Sequence, residues 1–200
     1  METTHRDHST GHNDLKRLVR FLFEGNMLKR TWRTGYAFLG QGRESVAAHT
    51  FGTLLMAFAL AKGEPDIDEL RLLKLCLIHD LPEARTGDAN AVHKRYVTRH
   101  EEEAVRDMTK GLAWGAELAA LFQEFQERSS KEAILAHDAD QLDMILSLKM
   151  HLDTGSEDAL RWLPHVKKRL LTEKAKALAE AILQEHWACW WMNELIGECE

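Results

Sequence analysis

The stretch Leu75-Cys76-Leu77-Ile78-His79-Asp80-Leu81-Pro82-Glu83-Ala84-Arg85-Thr86-Gly87-Asp88 restricts the folds open to this chain more than any other. An apolar helical run ends in an adjacent His79-Asp80 pair, with Glu83 and Asp88 close behind. Burying groups of this kind is unfavourable unless they meet opposite charge or hydrogen-bond partners. Imidazole and carboxylate are ligand types for Zn, Mn, Fe and Co, and one helix end that carries both supplies half of a four-ligand site. On a continuous helix Glu83 lies four residues after His79 and shares its face. Gly87 permits a turn that aims Asp88 back toward the same point. The remaining ligands have to come from elsewhere in the chain.

Two other segments supply them. His49, in Arg43-Glu44-Ser45-Val46-Ala47-Ala48-His49, begins one apolar run, and Asp140, in Ala136-His137-Asp138-Ala139-Asp140-Gln141-Leu142-Asp143-Met144-Ile145-Leu146, sits in another. An inward-facing carboxylate in such a run needs a partner, and a metal ion at Asp140 provides one. Asp138 and Asp143 can face water instead. The order H…HD…D resembles the signature of the HD-domain metal-dependent phosphohydrolase superfamily. The strings ESVAAH, LIHDLPEARTGD and ADQLDMIL are similar to its 5'-deoxynucleotidase branch, over roughly residues 15 to 150. LIHDLPEARTGD is the most specific of the three.

The resemblance implies a divalent ion (Mn, Co, Zn, Fe or Mg) held by His49, His79, Asp80 and Asp140. Glu83 and Asp88 remain as the catalytic carboxylates, one to handle the attacking water and the other the leaving 5'-oxygen, in an order left open. In the deoxynucleotidases a segment equivalent to residues 30–36 carries an arginine and an aromatic residue for the phosphate and base. Arg33 followed by Gly35-Tyr36 matches that pattern best, but here Trp32 precedes the arginine. The choice between Arg30 and Arg33, and between Trp32 and Tyr36, stays open. The implied reaction turns a nucleoside 5'-monophosphate and water into nucleoside and phosphate, with deoxyribonucleotides preferred. Related enzymes imply a homodimer. Three other readings compete. A two-metal phosphohydrolase or phosphodiesterase would recruit His93, His100 or His137, a nucleotide or metal sensor would keep the ligands without turnover, and a helical adaptor would do neither.

Composition narrows the partners. A formal net charge of -6 argues against a nucleic-acid polymer, which needs a basic stripe, but two or three local cations suffice for a small phosphate ligand. Residues 1–11 are polar, without the apolar core of a signal peptide, and no apolar run is long enough to span a bilayer. The three cysteines form no CxxC pair and read as reduced thiols of a cytoplasmic protein.

The periodicity throughout is helical, without alternating strands or repeats. A tail over residues 1–11 precedes one HD-type domain over 12–200, its motifs within 43–146. The expected architecture is all-α, a single-domain bundle of about eight helices. Asn13-Asp14 caps the first helix, with Leu15, Leu18, Val19, Leu22 and Phe23 on its apolar stripe. Thr98 and Glu101 form a capping-box pair. Residues 89–97 are a connection, and the helix from about 157 to 196 breaks near Pro164. Trp187, Trp190 and Trp191 cover the core or a dimer surface.

Overall fold

The computed structural model describes residues 8–197. In chain order these form α1 (His8–Asn26), α2 (Val46–Ala61), α3 (Glu69–Ile78), the single turns α4 (Glu83–Thr86) and α5 (His93–Tyr96), α6 (Glu101–Thr109), α7 (Gly115–Glu127), α8 (Lys131–Asp153), α9 (Glu157–Lys167), α10 (Glu173–Gln184) and α11 (Cys189–Ile196). Short 3-10 turns cover Met27–Lys29 and Thr34–Phe38. Among the described residues the one departure from helix and loop is an isolated antiparallel bridge between Trp32 and Ser45. The all-α fold is as expected. No helix among the described residues is long and apolar enough to cross a membrane.

Side chains set the helix starts that matter for the site. Ser45 Oγ accepts from Ala48 N (3.1 Å) at the head of α2, and Ser130 Oγ from Ala133 N (3.0 Å) at the head of α8. Asp68 does the same for α3 through Arg71 N (3.0 Å). Helix α8 is the axis of the bundle, with α2, α3, α7, α9 and α10 packed around it. Its alanines Ala133, Ala136 and Ala139 are completely buried, as are Leu142, Ile145 and Leu148, so neighbouring helices approach its backbone closely. That crowding draws polar side chains inside with it. Asp138 is fully buried and accepts from Leu171 N (2.7 Å), Thr172 N (2.9 Å) and Thr172 Oγ (2.7 Å), tying the turn before α10 to the axis. Asp143 is buried too. Neither faces water, because α8 is covered on several sides rather than one.

Other expectations change for local reasons. Residues 1–7 of the expected tail lie outside the described residues, and α1 starts at His8, ahead of the anticipated Asn13-Asp14 cap. Its apolar stripe is not covered: Leu15, Leu22 and Phe23 are each more than half exposed. The Thr98 capping box does not form. Helix α6 begins at Glu101, which pairs with Arg99 (2.6 Å) instead of reaching back. Pro164 sits inside α9, where its ring sacrifices one hydrogen bond near the helix end without stopping the helix. The break comes after Lys167, where the backbone turns toward Asp138. Cys76 is a free, buried thiol, whereas Cys189 is disulfide-bonded and not the idle thiol expected.

Candidate metal and phosphate site

Helices α2, α3 and α8 meet where their inward polar residues converge. His79 follows the last residue of α3, and its Nδ1 bonds the Cys76 carbonyl at 2.6 Å, leaving Nε2 as the free nitrogen. His49, in the first turn of α2, uses Nδ1 toward Asp143 Oδ2 at 2.6 Å, which also leaves Nε2. The two Nε2 atoms stand 3.4 Å apart. Asp140 Oδ1 is 3.0 Å from His49 Nε2, while Asp80 Oδ2 is 3.2 Å from His79 Nε2 and 3.7 Å from His49 Nε2. Ligand atoms of His49, His79 and Asp140 all lie within 4.8 Å of one another.

Such a gathering of lone pairs is repulsive unless protons or a cation lie among them. In protons alone the tension is visible in the titration of the groups. Burial and Arg33 would lower the His49 pKa, but Asp140 and Asp143 raise it to about 10. His79 is likewise raised against its burial by Asp80. Burial would raise Asp80, yet His79 brings it down to about 2, and His49 holds Asp140 well below the carboxylate range. A divalent cation suits the same donors. Ligands about 2.1 Å from an ion are separated by roughly 3.0 Å at right angles and roughly 3.4 Å at the tetrahedral angle, a range that includes the 3.4 Å between the two nitrogens. The mixed imidazole and carboxylate set fits a first-row transition ion or Mg.

Arg33 reaches this cluster from the loop before α2. Backbone bonds from Arg33 N to Glu44 O (2.9 Å) and from Val46 N to Thr31 O (2.9 Å) dock the loop beside the head of α2. The Arg33 guanidinium lies 3.8 Å from Glu44 Oε2, and its terminal Nη1 is buried without a partner. Desolvation works against its charge, but Asp140, Asp80, Glu44 and Asp88 together raise its pKa. Of the two arginines left open by the sequence, Arg30 is exposed and Arg33 is the one among the acids. The aromatic pair also separates. Tyr36 is buried and donates to Glu44 Oε2 (3.1 Å), whereas Trp32 is 42 % exposed with the Arg43 guanidinium 3.5 Å from its ring centre.

The two remaining carboxylates occupy different environments. Because α3 stops at Ile78, Glu83 does not continue the His79 face but starts the separate turn α4. It is buried, with Oε1 accepting from Arg99 (2.9 Å) and Oε2 unpartnered. Burial, and then the charges of Asp80 and Asp88, push its pKa up to about 8 against the pull of Arg99. Gly87 adopts φ +71°, a region that favours glycine, and returns the chain so that Asp88 Oδ2 accepts from the Thr34 hydroxyl (2.8 Å) and the Thr34 backbone. Asp88 thereby pins the Arg33 loop. His93, Lys94 and Arg95 on α5 are exposed, as is His100. His137 is buried, and among the described residues the groups able to hold an ion include none of these three histidines.

The HD domain family model matches residues 25–182. The chain belongs to the HD domain family. Human 5'-deoxynucleotidase HDDC2 is 33% identical over 150 residues, 72% of this chain and 72% of that protein. Schizosaccharomyces pombe 5'-deoxynucleotidase hdd1 is 28% identical over 184 residues, covering 86% of this chain and 92% of that protein. A conserved hypothetical protein from Pyrococcus furiosus superposes with a TM-score of 0.69 at 26% identity, covering 84% of this chain and 99% of that one. The chain therefore sits in the 5'-deoxynucleotidase branch of the HD domain family.

Sequence reasoning missed several residues of this HD domain. Arg99 joins the Glu83 carboxylate, the Gly87 carbonyl (2.9 Å) and Glu101, although in the sequence it is only the second residue of a capping pattern. Glu44 accepts from Tyr36, and burial together with Asp143 raises its pKa. Its one sequence signal is its place at the head of ESVAAH. Thr34 carries no such signal and is found through its partner Asp88.

Proposed function

We propose that this chain hydrolyses nucleoside 5'-monophosphates, deoxyribonucleotides in preference, at a divalent ion held by His49, His79, Asp80 and Asp140. The chain is a metal-dependent phosphohydrolase, a single domain over residues 12–200. The observation that carries the reading is one of complementary groups. Two imidazole nitrogens and two carboxylates converge as a donor set that suits a divalent cation, and beside the same acids the buried Nη1 of Arg33 has no protein acceptor. A metal phosphate complex would meet both needs, and the names of the curated relatives support a nucleotide as its carrier.

The bound ion, one of Mn, Co, Zn, Fe or Mg, would polarise the phosphoryl group and lower the pKa of water. Arg33 donates to the non-bridging phosphate oxygens and orients the phosphorus for in-line attack. Water oxygen forms the new bond to phosphorus as the bond to O5' breaks; O5' takes up the Glu83 proton, and the proton that the water gives up restores the Glu83 carboxyl group. Glu83 is the proton-transfer group, since its burial keeps a proton available near neutrality and its Oε2 has no other partner. Asp88 acts with it by holding the Arg33 loop through Thr34. The exposed Trp32 ring offers a surface to the nucleoside, Tyr36 steadies the loop from behind, and Arg30 supplies charge at the rim.

The working form is a homodimer. Its support is apolar: Leu15, Leu22 and Phe23 on α1 and Phe51 and Leu55 on α2 are all more than half exposed, and a second copy would cover them. Light scattering that finds a monomer at micromolar concentration would count against this.

The deciding assay is phosphate release from matched deoxy and ribo monophosphates with Mn, Co, Mg and Zn in turn. Burying an unpaired 2'-hydroxyl costs about 1–3 kcal/mol, or roughly 5- to 150-fold in kcat/KM. Equal values for each pair discard the deoxy preference, and a failure to release phosphate with every ion and substrate discards the phosphohydrolase.

A further inference from the structure

Asp143 is buried one turn beyond Asp140 on α8, and the proposed reaction gives it no task. Its Oδ2 lies 2.6 Å from His49 Nδ1. An imidazole whose Nδ1–H donates to a carboxylate keeps Nε2 as a bare lone pair and cannot swing without breaking that bond. The other carboxylate oxygen rests on α2 nearly one turn after His49. A Cβ built at Gly52 would stand 1.8 Å from Asp143 Oδ1 and 2.6 Å from its Cγ. The carboxylate and any side chain at position 52 therefore exclude each other. A glycine inside a helix weakens it, and here that glycine opens the notch that the carboxylate fills.

Glu44, His49 and Asp143 also bring ligand atoms within 4.8 Å of one another. A second ion there would require His49 to offer lone pairs from both nitrogens at once, as an imidazolate. A 2.6 Å hydrogen bond through Nδ1 needs the proton in place. The group therefore serves the first ion and does not hold another.

We propose that Asp143, seated in the notch left by Gly52, is a positioning residue that fixes His49 in the orientation and tautomer presenting Nε2 to the divalent ion. The inference rests on the ion-binding reading above. Removing a partner of this kind weakens metal affinity by about 10–100-fold.

The test is calorimetric titration of Mn2+ and Zn2+ into the metal-stripped parent, Asp143→Ala, Gly52→Ala and the double variant, with Asp143→Asn as the conservative change. Each alanine variant is expected to bind about 10–100-fold more weakly. The double variant should be no weaker than Asp143→Ala, because both changes disable one hydrogen bond and the methyl meets nothing once the carboxylate is gone. Asp143→Asn, which keeps an oxygen acceptor, should recover part of the loss. In the Zn2+-loaded parent, imidazole 15N resonances should report His49 protonated at Nδ1, a signal that Gly52→Ala removes. Affinities within twofold of the parent, or losses that simply add, overturn the proposal. If Gly52→Ala does not fold, Asp143→Ala measured against Asp143→Asn decides the matter by the same criterion. A parent that binds no ion overturns the ion reading and this one with it. A parent that binds while its variants match it overturns this one alone.

Discussion

Replacing Arg33 with methionine removes the guanidinium and keeps most of the aliphatic stem. The loss can be sized from the surroundings of the side chain. Its Nη1 is buried without a partner, so a phosphate oxygen arriving there gains a charge-assisted hydrogen bond without first displacing a protein acceptor. Such bonds contribute about 1.5–3 kcal/mol each. A bidentate contact, discounted for incomplete desolvation, comes to about 3 kcal/mol, or roughly 150-fold in kcat/KM. Ion affinity should not fall with it, because Arg33 lies among Asp140, Asp80, Glu44 and Asp88 and its removal leaves the ligand cluster more negative. Arg30, three residues earlier and exposed, is the built-in control, and Arg30→Met should stay within about twofold. The assay is steady-state phosphate release from a deoxynucleoside 5'-monophosphate at saturating Mn2+, with bound metal counted by mass spectrometry. Retention within about threefold in Arg33→Met, or an equal fall in Arg30→Met, would refute the assignment.

Three further outcomes are expected. Asp140→Asn should empty the site and abolish turnover while helical content by circular dichroism is kept. Full metal occupancy in that variant would remove Asp140 from the ligand set. Glu83→Gln should keep the ion and lose about 10²–10⁴-fold in kcat, as befits a proton-transfer group; a turnover near the parent's would reassign that role. Asp138→Ala, which strands the Leu171 and Thr172 amides, should cost roughly 3–5 kcal/mol and lower Tm by about 10 °C. Its ion affinity should be unchanged, and a Tm equal to the parent's would show that water replaces the carboxylate.

The parts of the site that could be read from the sequence were those in which one short stretch carries the chemistry. His79-Asp80 with Glu83 and Asp88 announced itself because charged groups beside an apolar run demand a partner. His49 and Asp140 then followed from the need for ligands. Asp143 was hidden, although it lies three residues after Asp140, because its neighbours in sequence do not reveal that Gly52 leaves room for it. Arg33 could not be separated from Arg30 by spacing alone, since the choice depends on how the loop docks against Glu44 and Val46. The stripe on α1 was visible as a pattern, but periodicity identifies a face and not what covers it. At Thr98 the local rule failed because Arg99 competes for Glu101 with a full charge.

The docking of the Arg33 loop has a consequence for how the molecule comes apart. The proposed ligands sit on α2, at the end of α3 and on α8 itself, whereas Arg33 belongs to a loop held by a few backbone bonds, the Asp88–Thr34 link and the buried Tyr36. Amides of α2 and α8 should exchange with solvent only through global opening, while residues 30–45 open at far lower free energy. In mild denaturant the proposed grip of Arg33 on phosphate should be lost first. The chain then passes through a state that still carries its metal and its helices but no longer recognises what it cleaves.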